Sequence, residues 1–239
     1  MTEQRFGAGA RAAVIGASGG IGGALAAGLA ARGAEVLCFS RSGAAPQGLS
    51  AARLDVTDED SVAAAAAGAG TLDLVIVATG LLHGAGLQPE KDMRALSADR
   101  LIESFRVNAV GPALVAKHFL PLLRRHTPTA FACLSARVGS IGDNRVGGWH
   151  GYRAAKAALN MLLKTLAIET ARKRPQAVIL ALQPGTVDTA LSKPFQGAVR
   201  PGHLFTPDQA AAHLLDVIEK ATPDCSGALF DWRGERLPY

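Results

Sequence analysis

The chain has 239 residues, a formal net charge of +5 and 49% apolar residues, enough for one large, well-buried domain spanning 1–239. No apolar run is long enough to span a bilayer, and the first residues lack the apolar segment of a secretory signal. Aromatic residues make up only 5% and the basic residues are scattered, which excludes the clustered charge and stacking rings of a nucleic-acid-binding surface. We therefore expect a cytoplasmic protein that binds neither membrane nor nucleic acid.

Three cysteines, Cys38, Cys133 and Cys225, lie far apart, each in an apolar run. An odd number at these spacings fits neither a disulfide framework nor a metal site. We expect them to be small core residues and predict no metal ligand.

Strand-like and helix-like runs alternate along the chain. Runs such as LVIVA and VILAL are apolar at every position, which is typical of parallel strands covered by helices on both faces. Repeated strand–helix units with right-handed crossovers predict an α/β fold with a doubly wound parallel sheet, whose ligands bind at the carboxyl ends of the strands. The predicted strands are 12–16, 35–39, 72–78, 130–135 and 177–183, with weaker ones at 51–54 and 228–231, and the predicted helices are about 20–32, 58–68, 99–124, 149–173 and 207–220.

The first predicted strand leads into three glycines, Gly16, Gly20 and Gly22, and then into an alanine-rich helix. Residues without a Cβ let the backbone turn sharply and approach a ligand closely. The N-terminus of the following helix offers free N–H groups and the positive end of its dipole to an anion. This order predicts a pyrophosphate site, and a purely structural strand-to-helix turn is the alternative.

The second predicted strand ends in Ser40 and Arg41, where NAD-binding proteins usually place a carboxylate that accepts from the ribose 2′-OH. No carboxylate is present at this point of the sequence. Ser40 can donate a hydrogen bond, and Arg41 can form a forked, charge-assisted contact with a 2′-phosphate. These residues favour NADP(H) over NAD(H), and an ordinary surface arginine is the alternative for Arg41.

Three further positions stand out by their residue type. Asp55 can accept a hydrogen bond from an adenine amino group or serve as a turn carboxylate, and Gly80 lets the backbone approach a cofactor. Asn108 lies inside an apolar helix, where it is a poor helix former and needs hydrogen-bond partners if it is buried.

The predicted strand at 177–183 is followed by a Pro184-Gly185 turn. Such a turn can direct the Val187 N–H and the Thr189 hydroxyl towards a ligand, or simply end the strand. The segment 192–206, rich in Gly and Pro, is predicted to be a mobile flap over the site.

Tyr152 and Lys156 lie four residues apart at the start of a helical run, so they share one helix face. A lysine ammonium near a phenol favours the phenolate and lowers the pKa of the tyrosine from about 10. A tyrosine tuned in this way can act as general acid towards a carbonyl or as general base towards an alcohol. The spacing alone is a weak signal, and it gains weight from the glycine turn that precedes it.

Together, the glycine turn, Asn108, a serine loop at 135–140, the Tyr152/Lys156 spacing and the Pro-Gly turn resemble the short-chain dehydrogenase/reductase family, in the family's order and over nearly the whole chain. The stretches 135–144, 152–160 and 226–232 resemble more narrowly its C-factor and sniffer-type carbonyl reductase branch. The resemblance implies a Rossmann-type sheet of about seven strands. It also implies reversible hydride transfer between NADP(H) and a small-molecule carbonyl/alcohol pair.

The resemblance also implies roles for individual residues. Tyr152 would transfer the proton, Lys156 would lower its pKa and hold the nicotinamide ribose, and Asn108 would hold a water that leads to Lys156. A serine would orient the carbonyl, and Val187 and Thr189 would anchor the carboxamide. The predicted cofactor site comprises Gly16, Ser18, Gly20, Ile21, Gly22, Ser40, Arg41, Asp55, Val56, Ala78, Thr79, Gly80, Tyr152, Lys156, Pro184, Gly185, Val187 and Thr189.

Two positions depart from the family's pattern. The active serine usually lies three residues before the glycine that here is Gly139, but that position is Ala136. We expect Ser135 to serve instead, through a kink at the strand end, and Ser140 is the other candidate. Ala78 stands where the family commonly has Asn, which removes one side-chain contact but keeps the backbone role.

The shifted serine leaves a second hypothesis open, in which the protein binds the nucleotide but acts as a signalling or scaffolding partner with little or no turnover. The intact Tyr, Lys and Asn set favours the enzyme. The resemblance also implies a homodimer or homotetramer, in which the helices at 99–124 and 149–173 pair between subunits. The substrate would be set by the flap and by the surroundings of Ser140, Trp149 and His150, with packing or capping as the alternative for the last two.

Overall fold

The computed structural model describes residues 4–84 and 88–239, and within them eight strands form one sheet. The strands of the chain are β1 (Arg11–Ile15), β2 (Glu35–Ser40), β3 (Ala51–Arg53), β4 (Leu74–Val77), β5 (Thr129–Leu134), β6 (Ala177–Gln183), β7 (Thr186–Val187), β8 (Leu204–Phe205), β9 (Ala228–Asp231) and β10 (Arg236–Leu237). The sheet has the order β10-β9-β6-β5-β4-β1-β2-β3, and β7 and β8 form a separate parallel pair. The seven predicted strands are confirmed, and all seven are parallel.

The eighth strand, β10, was not predicted. It pairs antiparallel with β9 through only two residues, Arg236 and Leu237. Two residues are too few to show a periodic hydrophobic pattern, so the sequence did not predict this strand. It forms where β9 leaves an edge free for pairing.

The helices cover both faces of the sheet. They are α1 (Gly20–Ala31), α2 (Glu59–Ala69), α3 (Ala98–Phe105), α4 (Gly111–Phe119), α5 (His150–Ala171) and α6 (Pro207–Lys220). Leucines and isoleucines of α1 and α6 pack on one face of the sheet, and apolar residues of α2, α4 and α5 pack on the other. Among the described residues, no helix combines the length and the apolarity that a membrane crossing requires.

The two cores follow from the alternation of side chains along each strand. In β1, Ala13 and Ile15 belong to one core while Ala12 and Val14 belong to the other. Every residue of β4 and β5 is buried, as the apolar runs Leu74–Val77 and 130–134 predict, and Thr129 at the start of β5 is a buried polar residue. Cys38 and Cys133 are buried free thiols in these cores and Cys225 is a half-buried free thiol, so the core prediction holds fully for two of the three cysteines.

The helix predicted over 99–124 is broken into pieces, so that prediction was wrong in its continuity. A π-helical turn at Arg106–Val110 separates α3 from α4, and the Gly111 N–H donates to the carbonyl of Arg106, five residues back. Pro112 lacks the N–H that an uninterrupted α-helix would donate to the carbonyl of Asn108. The π-helical turn therefore places Asn108 where the regular hydrogen-bond ladder is interrupted, a common arrangement at functional sites.

Parallel strands bring their carboxyl ends to one edge of the sheet. Gly16, Thr79, Ser135 and Pro184 follow β1, β4, β5 and β6, respectively, and so lie along this edge. The strand order reverses between β1 and β4, where open α/β sheets leave a crevice for a ligand.

Candidate active site

The turn after β1 accepts only glycine at two positions. Gly16 has φ +93, and a Cβ placed on it would lie 3.0 Å from the carbonyl group of Ala78. A Cβ on Gly22 would overlap the carbonyl oxygen of Gly16. The N-cap of α1, Gly19, gives no side-chain hydrogen bond, and the first turn of the helix carries no acidic residue. The helix thus presents uncapped N–H groups, as an anion site requires.

Residues from three other segments surround this turn. A Cβ on Gly20 would lie 2.7 Å from the methyl group of Thr189, so the segment after β7 approaches α1 closely. Thr79 has a buried hydroxyl oxygen with no hydrogen-bond partner among the described residues. A groove of about 370 Å³ runs beside the turn, lined by Ser18 and Gly20 among others, and reaches Pro46 and Asp208. A glycine cradle, an unpartnered hydroxyl and a groove fit a dinucleotide such as NADP(H).

The end of β2 differs from the prediction at one residue. The Ser40 side chain is buried, and its hydroxyl donates to the carbonyl of Ala44 at 2.7 Å, so it faces inward rather than towards a phosphate. Arg41 is exposed and lies close enough to Asp55 to lower the pKa of that carboxyl. The larger cause of the lowering is the hydrogen bond from the Thr57 N–H, since Thr57 donates twice to Asp55 Oδ1. Asp55 therefore serves as a turn carboxylate, while its contact with adenine stays a prediction.

Val56 and Gly80 both lie close to the segment around Asn108. Val56 is 6% exposed, and a Cβ on Gly111 would lie 2.8 Å from its side chain. Gly80 is exposed, with its hypothetical Cβ 3.6 Å from Asn108 Oδ1. Asn108 Oδ1 accepts from the Leu81 N–H at 3.0 Å, and its amide group donates to the carbonyl of Leu81 at 2.7 Å. The predicted need for partners is confirmed, and Asn108 ties the end of β4 to the broken helix.

Tyr152 and Lys156 lie on one face of α5, as predicted. Lys156 is 2% exposed, and its Nζ donates to the carbonyl of Leu134 at 2.8 Å. The ammonium lies 5.7 Å from the centre of the Tyr152 ring. A Cβ on Gly139 would lie 2.7 Å from the Cβ of Lys156, so the glycine lets the loop after β5 pack directly on the helix.

The expected lowering of the pKa of Tyr152 is wrong for this structure. Burial raises the pKa of Tyr152 to about 12. Burial also lowers the pKa of Lys156 to about 8, with the nearby Cys133 thiol as the smaller, opposing influence. Desolvation disfavours both charged forms, and it is the main cause of both shifts. At neutral pH the site therefore holds a neutral phenol beside an ammonium.

The structure does not bring Ser135 to Tyr152. The Ser135 side chain is buried, and its hydroxyl donates to Asn160 Oδ1 at 2.7 Å. Asn160 lies eight residues after Tyr152, which is about 12 Å along the helix axis. The hydroxyl of Ser140, the other candidate, is also buried and accepts from the Asp143 N–H at 3.1 Å. Ala136 is only half-buried, at the position that the family's pattern gives to the serine.

Asn160 is the residue that sequence reasoning missed in this cluster. It is 2% exposed, accepts from Ser135 and contacts the carbonyl of Gly139 through its amide nitrogen at 3.5 Å. The spacing of Tyr152, Lys156 and Asn160 at intervals of four was the available signal, because it places all three on one helix face.

The turn after β6 has the predicted form. Gly185 has φ +80, and its hypothetical Cβ would lie 2.7 Å from the ring of Phe205, so Pro184-Gly185 lets β8 pack against the strand end. Val187 is 3% exposed in β7, and the Thr189 hydroxyl lies 3.4 Å from the Val187 carbonyl. Their contact with a carboxamide stays a prediction.

A chain of aromatic contacts runs from Tyr152 through Trp149 and Phe195 to His83. The Trp149 ring lies 6.4 Å from the Tyr152 ring and 4.9 Å from that of Phe195, edge to face. Phe195 belongs to a 3-10 turn at Lys193–Ala198 within the predicted flap, and its ring lies 5.7 Å from His83. The flap segment is therefore in contact with the start of α5 and with the connection that follows β4.

The chain is similar in sequence to a family model and to several known proteins. A family model described as short chain dehydrogenase matches residues 10–199. A 1-hydroxy-2-glutathionyl-2-methyl-3-butene dehydrogenase from Rhodococcus sp. (strain AD45) is 33% identical over 219 residues, which cover 90% of this chain and 92% of that protein. The C-signal protein of Myxococcus xanthus is 34% identical over 140 residues, which cover 58% of this chain and 78% of that protein.

Solved structures agree with the fold. A protein from Burkholderia multivorans, described as a short-chain dehydrogenase/reductase with bound NADP, has a TM-score of 0.81 and 25% sequence identity, over 96% of this chain and 99% of that chain. The family match spans the glycine turn, the Asn108 turn and the pair of Tyr152 and Lys156. The chain therefore belongs to the short-chain dehydrogenase family of oxidoreductases.

Proposed function

We propose that this oxidoreductase is an NADPH-dependent carbonyl reductase, which interconverts a carbonyl and an alcohol with Tyr152 as proton donor. The observation that carries the proposal is the pair of Tyr152 and the buried Lys156 on one face of α5, with Lys156 bonded to the end of β5. A neutral phenol with an ammonium close by can give a proton to a carbonyl oxygen and stabilise the charge left behind.

Three features support NADP(H) as the cofactor. The glycine turn has no room for a Cβ, the buried Thr79 hydroxyl would gain a partner from a bound dinucleotide, and Arg41 is exposed at the end of β2. The Burkholderia relative of similar fold is described with bound NADP. In this proposal the backbone of the turn holds the pyrophosphate, Arg41 the 2′-phosphate, and Val187 and Thr189 the carboxamide. When bound, NADPH supplies the hydride that reduces the carbonyl carbon.

Tyr152 is proposed to move the proton. Because burial holds the pKa of Tyr152 at about 12, the phenol carries its proton at neutral pH. The Oη of Tyr152 gives this proton to the carbonyl oxygen during reduction and takes one from the alcohol in the reverse direction. Lys156, with a pKa of about 8, is mostly charged at pH 7, and its ammonium stabilises the phenolate that forms.

The carbonyl oxygen would accept its hydrogen bond from Tyr152 alone. The hydroxyl of Ser135 donates to Asn160, and that of Ser140 is buried against the Asp143 N–H. Ala136 offers no donor from its side chain. We propose that this reductase works without the orienting serine, which predicts a slower chemical step than a second donor would allow.

The aromatic cluster of Trp149, Phe195 and His83 supports a substrate with an apolar or conjugated group next to the carbonyl. The Rhodococcus relative is named for a hydroxylated butene that carries glutathione. We propose substrates of this kind for the present chain, with an apolar body that packs on Trp149 and Phe195.

The test is a fluorescence titration of the purified protein with NADPH and with NADH, followed by NADPH turnover with dicarbonyls, quinones and glutathione-bearing carbonyl compounds. Tighter binding of NADPH together with turnover supports the proposal. Preference for NADH would overturn the cofactor assignment, and binding without turnover of any compound would overturn the reductase.

Binding without turnover would instead favour a second candidate, a nucleotide-binding signalling protein. The observation behind this candidate is Ala136 at the position of the active serine, together with the similarity to the C-signal protein. The retained pair of Tyr152 and Lys156 favours the enzyme, since binding of a nucleotide alone gives no reason for a phenol and an ammonium at this spacing.

We also propose that the protein forms a homodimer or homotetramer through α5 and the helical segment 99–124, which contains α3 and α4. Several large apolar side chains on α5, on α3 and on the π-helical turn between α3 and α4 are exposed to solvent in the single chain. Met161 is 67% exposed and Ile168 is 52% exposed on α5, while Ile102 on α3 is 65% exposed and Val110 is 47% exposed. Exposed apolar residues grouped on neighbouring helices are typical of a surface that a partner covers.

A further inference from the structure

A buried carboxylate holds the first turn of α5. Glu90 is 4% exposed, and its Oε2 accepts a hydrogen bond from the Gly151 N–H at 3.1 Å. The backbone carbonyl of Glu90 accepts from the Trp149 N–H at 2.5 Å. Gly151 directly precedes Tyr152 in the sequence. One residue therefore fastens the chain at two points, immediately before the tyrosine.

The helix has no cap of its own at this end. Trp149 occupies the N-cap position with φ 51 and ψ 41, and its side chain makes no capping hydrogen bond. A bulky residue in the left-handed region is strained and persists only where its surroundings hold it. The free N–H groups and the positive dipole end of a helix are stabilised by a carboxylate. Glu90 supplies from a distant segment the cap that Trp149 lacks.

The segment at Glu90 and Lys91 packs closely against the glycines at the start of α5. A Cβ on Gly151 would lie 3.0 Å from Glu90 Oε1, and a Cβ on Gly148 would lie 3.3 Å from the carbonyl of Lys91. The two segments therefore meet with no side chain between them. A displacement of Glu90 would pass directly to the backbone at 149–151, and from there to Tyr152.

The connection that carries Glu90 is fastened at its other end as well. It starts after β4 at Leu81, whose N–H and carbonyl are both bonded to the Asn108 side chain. The same connection contains His83, which contacts Phe195 of the flap. Leu81 and His83 thus contact the Asn108 turn and the flap, while Glu90 contacts the start of α5.

We propose that Glu90 is a positioning residue for the reductase reaction. Its carboxylate fixes the start of α5, so that the phenol of Tyr152 and the ring of Trp149 stand at the correct place for the substrate. This inference rests on the proposed function for its effect on turnover. A misplacement of about 1 Å at a reacting group lowers the rate by as much as about 100-fold.

Steady-state kinetics of Glu90→Ala and Glu90→Gln test the proposal. We expect kcat of Glu90→Ala to fall about 10-fold to 100-fold, while the dissociation constant for NADPH stays within about threefold of the wild type. Glu90→Gln keeps an oxygen that can accept from the Gly151 N–H, so most of kcat should return. Glu103→Gln, an exposed glutamate on α3, is the matched control and should behave as wild type.

A second readout does not depend on turnover. The chain has two tryptophans, so Trp232→Phe leaves Trp149 as the sole tryptophan emitter. In that background, Glu90→Ala should shift the emission of Trp149 to the red and increase its quenching by acrylamide, and Glu90→Gln should do so less. If wild type fails to turn over any carbonyl but this shift is present, the proposed function fails while the structural role of Glu90 stands.

Two results would overturn the inference. Wild-type kcat in a folded Glu90→Ala variant would show that Tyr152 needs no support from this carboxylate. A fall in kcat that only follows the loss of folded protein, measured by near-ultraviolet circular dichroism, would reduce Glu90 to a stabilising residue. If Glu90→Ala does not fold, Gly151→Ala replaces it, because the added Cβ presses on Glu90 Oε1 without removing the carboxylate.

Discussion

The ammonium of Lys156 lies 5.7 Å from the centre of the Tyr152 ring, yet it donates its hydrogen bond to the carbonyl of Leu134, 2.8 Å away. The hydrogen bond fastens α5 to the end of β5. Because Lys156 is buried and Tyr152 is half-buried, desolvation raises the pKa of the phenol to about 12 and lowers that of the ammonium to about 8. At neutral pH the phenol of Tyr152 is therefore protonated, and the ammonium of Lys156 loses its charge just above neutral pH.

Removal of the phenolic hydroxyl tests the role of Tyr152. We expect Tyr152→Phe to lower kcat by about 100-fold to 10,000-fold, the usual contribution of a general acid, with NADPH binding retained. The chain has only one other tyrosine, Tyr239, so Tyr239→Phe is a matched control and should keep wild-type kcat. Equal activity of Tyr152→Phe and the wild type would rule out this residue as the proton donor.

The lowered pKa of Lys156 gives stability a pH dependence. Between about pH 8 and the ordinary value of 10.5, the folded protein binds fewer protons at this site than the unfolded chain. Stability from this group therefore rises with pH across that window, by on the order of 3 kcal/mol at most. Urea unfolding at pH 7 and at pH 10 should show this gain for the wild type relative to Lys156→Met.

The same titration affects the reaction. Carbonyl reduction should lose rate above about pH 8, as Lys156 gives up the charge that stabilises the phenolate. The pH profile of kcat/KM reports the pKa values of the enzyme before substrate binds, so it should show the pKa of Lys156. A flat profile from pH 7 to pH 10 would contradict the assigned role of the ammonium.

The serine loop offers a test by gain of function. Ala136→Ser places a hydroxyl where the family's pattern has its serine, and we expect kcat/KM for carbonyl reduction to rise about tenfold. Ser135→Ala should leave kcat nearly unchanged but cost about 1–3 kcal/mol of stability, because the buried Oδ1 of Asn160 loses its donor. A large loss of kcat in Ser135→Ala, with stability unchanged, would restore Ser135 as the active serine.

Charge reversal at Arg41 tests the cofactor preference. Arg41→Glu should weaken NADPH binding by about 10-fold to 100-fold, the worth of one charge-assisted contact, and change NADH binding little. Arg172→Glu makes the same change of net charge at another exposed arginine, at the C-terminal end of α5, and serves as control. Equal loss of affinity for both cofactors in Arg41→Glu would argue against contact with a 2′-phosphate.

The proposed oligomer is tested at the exposed face of α5. Met161→Glu combined with Ile168→Glu should shift the protein to monomer in light scattering after gel filtration, since burial of two new charges opposes association. Lys173→Glu, a charge change at an exposed lysine beyond the end of α5, controls for net charge. A wild-type protein that is already monomeric would exclude the oligomer.

Sequence pattern predicted the fold well because the strands are long or fully apolar. Runs such as Leu74–Val77 can only be buried on both faces, and the glycines after β1 mark the first turn without ambiguity. The predictions from sequence pattern were wrong or incomplete where the structure depends on contacts between distant segments. The break at Asn108 needs the bonds to Leu81, and β10 exists only beside β9.

The candidate site divides in the same way. The spacing of Tyr152 and Lys156 was visible in the sequence. The direction in which their pKa values shift depends on burial, which residue spacing does not predict. Ser40 and Ser135 were predicted to contact ligands. The sequence does not show that their hydroxyls donate instead to the Ala44 carbonyl and to Asn160 Oδ1. Glu90 gave no signal at all, since its partner lies about 60 positions further along the chain.

Both edges of the sheet are short strands, with three residues in β3 and two in β10. An edge of this length presents few unpaired N–H and C=O groups, so a second chain gains little by adding a strand there. The main sheet is thus protected against edge-to-edge aggregation even though its inner strands are strongly apolar. We therefore expect any assembly of this protein to use its helices rather than the edges of the sheet.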